Sequence, residues 1–195
     1  ENGSGGDVVL AAPSGMSTDD LRVHVAAQVL GGSAPASGSG MTDLDTPVYD
    51  NSFGMRGQWI LDSTSSITHT TPGSDIISFG VGVRVSGVDT SDPINAALID
   101  FEDAATSGVD LGTITTDVDG CTILYIFSLT SGTRSPDLPS GLTSEFTSWD
   151  GGAGDIMRVC SEVQATAGAT TAPSSWRARC CSSRCRFSLQ DYNFR

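Results

Sequence analysis

The nine residues Leu21–Val29, LRVHVAAQV, alternate strictly. Leu21, Val23, Val25, Ala27 and Val29 fall on one side, and Arg22, His24 and Gln28 fall on the other. A period of two sends successive side chains to opposite faces of an extended chain, so this stretch predicts a half-buried β-strand. The pattern returns in ISFGVGVRVSGV (Ile77 to Val88), where Phe79, Val81, Val83 and Val85 share a face. Glycines on the opposite face there point to close approach of another backbone. GMRGQWILD (Gly54 to Asp62) and DIMRVCSEVQA (Asp155 to Ala165) are further strand candidates. CTILYIFSL (Cys121 to Leu129) is continuously apolar, as a central strand covered on both faces would be. Clusters of turn residues separate these runs, among them APSG, GGSAPASGSG, TTPGSD, SGTRSPDLPSG and WDGGAGD. NAALIDFEDAA (Asn95 to Ala105) reads as an irregular crossing segment, with a helix as the alternative. The class that results is all-β, an antiparallel sandwich.

An internal echo narrows this further. DDLRVHVAAQV from Asp19 is answered by DGCTILYIFSL from Asp119, and GMT (Gly40 to Thr42) by GLT (Gly141 to Thr143). YDNSFGMRGQW is answered by WDGGAGDIMRVC, again about a hundred residues later. A repeat this long is too large for a solenoid. It predicts two related halves, roughly 7–95 and 106–172, of one jelly-roll-like sandwich spanning residues 1–172. Residues 173–195 form an atypical Arg/Cys-rich segment, a candidate closing or exchanged strand.

Charge bounds the partners. The net charge is −13, and all ten basic residues are Arg. Residues 1–172 hold five Arg against 22 acids, a balance of −17, whereas 173–195 hold five Arg against Asp191 alone, +4. A body this acidic repels nucleic acid. No run of about 18 apolar residues occurs to span a membrane. The opening ENGSGGD reads as a trimmed or processed start.

Several of these pieces together resemble a β-sandwich module of phage and bacterial surface proteins. The matching residues are Pro13 and Gly15, Asp20 and Leu21, Gly40, Met41 and Thr42, then SGVDTSDPIN (Ser86 to Asn95), TTDVDGCTIL, PSGLT and AGAT (Ala167 to Thr170). The likeness covers about residues 7–172. Met41 and Leu142 replace the aromatic of the module's Pro-Ser-Gly turn, and the Arg/Cys tail replaces its closing apolar strand. The resemblance implies a fold and a setting, a virion or a secreted adhesin, and supplies no catalytic residues.

Candidate chemistry is sparse. Cys180, Cys181 and Cys185 lack the paired arms of a zinc site, and His24 and His69 are the only histidines. Disulfide pairing among Cys121, Cys160, Cys180, Cys181 and Cys185 stays open. The tail's Arg residues, with Trp176, Phe187, Tyr192 and Phe194, suit a basic arm that meets an acidic neighbouring subunit. The alternative is that the Arg/Cys/Ser bias of WRARCCSSRCRF reflects a reading frame displaced by one base. Even so, CRFSLQDYNF alternates and can form a strand, with Phe187, Leu189, Asp191 and Asn193 on one face. DTSD (Asp89 to Asp92), DFED (Asp100 to Asp103) and DVDG (Asp117 to Gly120) offer oxygen ligands to calcium, or are ordinary turns. No G-x-S-x-G elbow occurs, and neither histidine has a Ser or Asp partner at a readable spacing. Tyr49, Phe53, Trp59 and Trp149 are either core or a sugar-binding platform.

The expectation is therefore a non-enzymatic structural protein on a bacteriophage virion surface, a head decoration or fibre component. It would have no cofactor beyond calcium. It would bind copies of itself and other virion proteins, with no nucleic acid or membrane partner. The alternative is a secreted carbohydrate-binding or adhesive module of a bacterial surface, with glycans as partners.

Overall fold

The computed structural model describes residues 2–4, 6–29, 32–50, 53–61, 64–71, 77–102, 113–130, 141–149, 156–170 and 186–194. Among them every regular element is a strand and every pairing is antiparallel, so the chain is all-β. No helix among these residues is long and apolar enough to cross a membrane. The chain divides into two compact units, Glu1–Pro93 and Ile94–Arg195.

The first unit holds β1 (Asn2–Ser4), β2 (Val8–Leu10), β3 (Leu21–Val29), β4 (Thr42–Asp43), β5 (Val48–Tyr49), β6 (Phe53–Leu61), β7 (Ile67–His69) and β8 (Ile77–Val85). Its main sheet runs β1-β8-β3-β6-β4, with β5 also on β6, and β2 and β7 form a separate ribbon. The strand β3 is central because its odd-numbered residues supply the apolar face. Leu21, Val23, Val25 and Ala27 are all fully buried, as are their neighbours Phe53 and Met55. The ribbon lies on the other face, where Val8 and Leu10 pack with Ala26. Gly80 permits this approach, since a Cβ there would stand 2.8 Å from Val8 Cγ1 and 2.9 Å from the Val25 carbonyl. The strand is thus buried on both faces, not half-buried as its alternation suggests. A second layer covers the polar side.

The second unit holds β9 (Ala96–Glu102), β10 (Thr115–Thr116), β11 (Cys121–Thr130), β12 (Thr143–Trp149), β13 (Ile156–Gln164), β14 (Gly168–Ala169) and β15 (Arg186–Phe194). Its sheet runs β9-β15-β11-β13-β12, and β10 and β14 form a ribbon. Place for place this is the order of the first unit, with β11 standing for β3, β13 for β6, β15 for β8, β12 for β4 and β9 for β1. The ribbons share a burial pattern too. Val8 and Leu10 are buried around exposed Val9, and Ile114 and Thr116 are buried around exposed Thr115. The repeated Gly-apolar-Thr text has a backbone cause, since Gly40 and Gly141 both adopt positive φ (77° and 95°), which a side chain disfavours.

Within Asn95–Ala105 the described residues form neither an irregular crossing nor a helix, and 103–105 lie outside them. Ala96–Glu102 is strand β9, paired with β15 from Asn193 to Phe187. Its alternation of Ala97, Ile99 and Phe101 with Leu98, Asp100 and Glu102 fits that ladder, and Ile99 is buried.

Candidate functional site

The densest cluster of polar side chains lies between the first unit's sheet and its covering layer. The even-numbered face of β3 carries Arg22, His24 and Gln28, and β6 adds Gln58 opposite His24. All four are fully buried, as is His69 on β7. Covering them is the ribbon together with a strap formed by residues 33–43. The strap is tied down by side chains of the sheet. Gln28 Nε2 donates to the Ser33 carbonyl (2.5 Å), Arg56 Nε to the Pro35 carbonyl (2.7 Å), and Gln58 Nε2 to Ser37 Oγ (2.6 Å) and Asp43 Oδ1 (2.8 Å). In return the Gly38 amide donates to Gln58 Oε1 (2.8 Å). The strap sits so close to β6 that a Cβ on Gly54 would overlap the Ser33 carbonyl.

Arg22 spans the layer with no carboxylate partner among the described residues. Its Nη2 donates to the Leu10 carbonyl (2.7 Å) and its Nη1 to the Ser65 carbonyl (2.5 Å). Burial lowers its pKa. Arg84, directly opposite on β8, turns away to Asp20 (2.8 Å). The Ser17 amide and hydroxyl also donate to Asp20 (2.7 and 2.8 Å), and these bonds, then Arg84, hold its carboxyl below the usual range.

The two histidines, 45 residues apart, meet here. His24 Nδ1 lies 2.9 Å from His69 Nε2, and His69 Nδ1 lies 3.3 Å from the Ala36 carbonyl. A carbonyl only accepts, so His69 carries its proton on Nδ1 and its Nε2 accepts from His24 Nδ1. That leaves His24 Nε2 as a bare lone pair, buried and with no partner among the described residues. Protonation at that atom would place a cation in a dry layer beside Arg22. His24 is accordingly pushed down to about 2, by burial first, then by Arg22 and His69. His69 is lowered as well, mainly by burial, with the Ala36 carbonyl opposing. The rings are therefore neutral, and each is sealed from solvent. Such a pair can order a fold, but a substrate cannot reach it.

The other candidates do not converge. Cys121 and Cys160 are buried on the neighbouring strands β11 and β13, and the Cys121 thiol donates to the Val118 carbonyl (3.3 Å). Cys121 faces Gln164 and Cys160 faces Tyr125, an offset of four residues or roughly 13 Å. That is too far for a disulfide. Burial pushes the Cys160 thiol up to about 11, which suits a small apolar filler. Cys180, Cys181, Cys185 and Trp176 lie outside the described residues. Asp89 Oδ1 accepts from the Ser91 amide and hydroxyl (2.9 and 2.6 Å), closing a turn. Asp117 pairs with Asn95, and Asp119 Oδ1 accepts from the Ala167 amide (2.7 Å). Among the described residues no three His, Cys, Asp or Glu side chains gather as a metal would need. Of the four aromatics that could form a sugar platform, Phe53 is in the core, Trp59 is half-buried and Tyr49 is exposed. The side chain of Trp149 lies outside the described residues. Phe53 therefore drops out of any such surface.

No protein-family model, curated protein or solved structure matches the chain.

The surface offers a different kind of site. Tyr49 on β5 is 64% exposed and Phe146 on β12 is 46% exposed. Both strands pair on the side of β6 or β13 away from the central strand, so each unit exposes an aromatic at the same margin of its sheet. The sequence offered Tyr49 as core or as part of a sugar platform, and it did not single out Phe146. The signal that could have found Phe146 is its place in TSEFTSW, a run with neither Pro nor a basic residue to blunt a strand edge.

Proposed function

We propose that the chain is a non-enzymatic structural protein of a bacteriophage virion, a head decoration or fibre component that joins subunits. The observation that carries this reading is the pair of exposed aromatics, Tyr49 and Phe146, at matching sheet margins. Aromatic side chains at a strand edge combine open backbone hydrogen-bonding groups with large apolar area, which suits chain-to-chain pairing. The buried placement of both histidines supports the non-enzymatic part, because the chain's most readily titrated side chains are spent on holding the strap and ribbon. The acidic, Lys-free body suits a surface that stays soluble and avoids nucleic acid.

The test is peptide mass spectrometry with copy number on gradient-purified particles from the source. Hundreds of copies per particle are expected. Tyr49→Ser combined with Phe146→Ser should then lower incorporation at least tenfold while the melting temperature stays close to that of the parent chain. Absence from particles, with the protein free in the medium, would overturn the reading and favour the secreted glycan-binding module.

A further inference from the structure

The strap of residues 33–43 is held by hydrogen bonds and by little apolar burial. Its sequence, SAPASGSGMTD, has no large apolar residue apart from Met41, and only Pro35 and Gly38 on it are buried. Gly32 and Gly40 bracket residues 33–39, both at positive φ (59° and 77°), where a glycine turns most freely. Ala36 and Ser37 are exposed, so one thickness of backbone separates His69 from solvent. The ribbon is fixed differently. Lifting it would uncover Val8 and Leu10 and break both bonds from Arg22. The strap is therefore the part of the cover that can leave with the smaller loss of apolar contact.

The histidine pair beneath it has no place for a further proton. His24 Nδ1–H points at His69 Nε2 across 2.9 Å, and His69 Nδ1–H points at the Ala36 carbonyl. A proton added at His69 Nε2 would set two N–H groups head to head. One added at His24 Nε2 would sit on a buried atom with no partner among the described residues. The surrounding charges do not compensate. β3 contributes Arg22 and β6 contributes Arg56, and both repel a charged His69. β8 sets Gly82 beside His24, and its Arg84 is held by Asp20. Asp7, ahead of β2, accepts from the Thr71 amide (3.2 Å). Asp43, on the strap, accepts from Arg56 and Gln58.

We infer that the His24–His69 pair is an acid-operated latch on the strap of residues 33–43. Lifting the strap admits water to both rings, and the hydrated rings take up protons that the closed layer refuses. Acid therefore shifts the strap toward an open form, while the nine-residue ladders of β3 with β6 and β8 stay intact. The open form presents Gln28, Arg56, Gln58 and two cationic rings on an otherwise acidic chain. His24 alone makes opening about tenfold more favourable at pH 5.5 than at pH 7.5, and His69 adds in the same direction. The inference does not depend on the virion reading and holds equally for a secreted module.

The test is native-state hydrogen exchange on the full chain at pH 7.5 and 5.5, corrected for intrinsic pH dependence, with and without sub-denaturing urea. The reporters are the Ala36 and Gly38 amides, which donate to the Thr70 carbonyl and to Gln58 Oε1. They should exchange faster than the Leu21–Val29 amides at both pH values and speed up about tenfold or more on acidification. They should hardly respond to urea, because a local opening exposes little surface. His24→Leu/His69→Thr should remove the pH response, and Asp43→Asn should keep it. Four results would overturn the inference. The first is reporter exchange that does not change with pH. The second is acceleration by urea equal to that of Leu21–Val29, which would mean unfolding of the whole unit. The others are a pH response that survives the loss of both histidines, and one that disappears in Asp43→Asn. If the histidine double variant fails to fold, the parent chain and Asp43→Asn decide.

Discussion

The two units place their strands in the same order but fill the matching layer differently. Where the first unit sets Arg22, His24, Gln28 and Gln58 on this face, the register of the second sets Thr122, Leu124, Ser128 and Ser161, and it buries Ile126, Met157 and Val159 beside Leu124. Leu124 stands at the place of His24, and Thr170 at that of His69. The difference teaches that strand order does not dictate interior polarity. The polar layer holds because the strap and ribbon supply carbonyls, an amide and hydroxyls to its side chains. The match is incomplete, since Arg22 Nε, His24 Nε2 and Gln28 Oε1 have no partner among the described residues. Each such atom costs about 1–3 kcal/mol.

The contrast breaks most visibly at Gly54. Its counterpart by register is Met157, so the second unit accepts a long side chain where the first has none. Gly54→Met should drive the strap off β6 and destabilise the chain by about 3 kcal/mol or more, read by urea unfolding. A loss under about 1 kcal/mol would mean that the strap is not held as described.

Acid comes next. Both histidines have folded values below their ordinary 6.5, so both are neutral in the fold and take up protons on unfolding. Their contribution is complete above about pH 6.5 and declines as pH falls toward the folded values, about 2 for His24. Between pH 7.5 and 5.5 the chain should lose about 1 kcal/mol through His24, with His69 adding a loss of the same sign, read by urea unfolding at each pH. The second unit has no histidine, so its local exchange rates, corrected for intrinsic pH dependence, should not follow this profile.

A smaller effect sharpens the same point. His24→Leu with His69→Thr copies the second unit's pair into the first. Each single change strands one buried partner, whereas the double change removes both. A double-mutant cycle should show a coupling of about 1–2 kcal/mol, and the double variant should lose the acid sensitivity. The smallest effect belongs to the Arg56–Asp43 pair (2.7 Å), which sits partly in solvent. Asp43→Asn should cost under about 1 kcal/mol and respond to salt, as melting curves at two ionic strengths would show.

The strands were readable wherever one residue type repeats on a face. The Leu21–Val29 alternation coincides with β3, and the apolar run from Cys121 coincides with β11. The β9 strand was hidden because Ala96–Glu102 is short and flanked by turn residues, and its pairing partner lies some ninety residues away. The alternation in β3 also misled about burial. Polar residues at Arg22, His24 and Gln28 suggest a solvent face, and only the distant strap and ribbon turn that face inward. For the same reason the His24–His69 pair was invisible, since it depends on where β7 lies and not on spacing. The exposed margins at Tyr49 and Phe146 needed the sheet order, which local patterning does not contain.

The shared strand order, with β15 in the place of β8, is tested most directly by native-state hydrogen exchange on the intact chain at neutral pH. The expected result is protection of the Arg186–Phe194 amides above that of an unstructured peptide, with Ile77–Val85 more protected still. Exchange of Arg186–Phe194 at the unstructured rate, while Cys121–Thr130 stays protected, would contradict it.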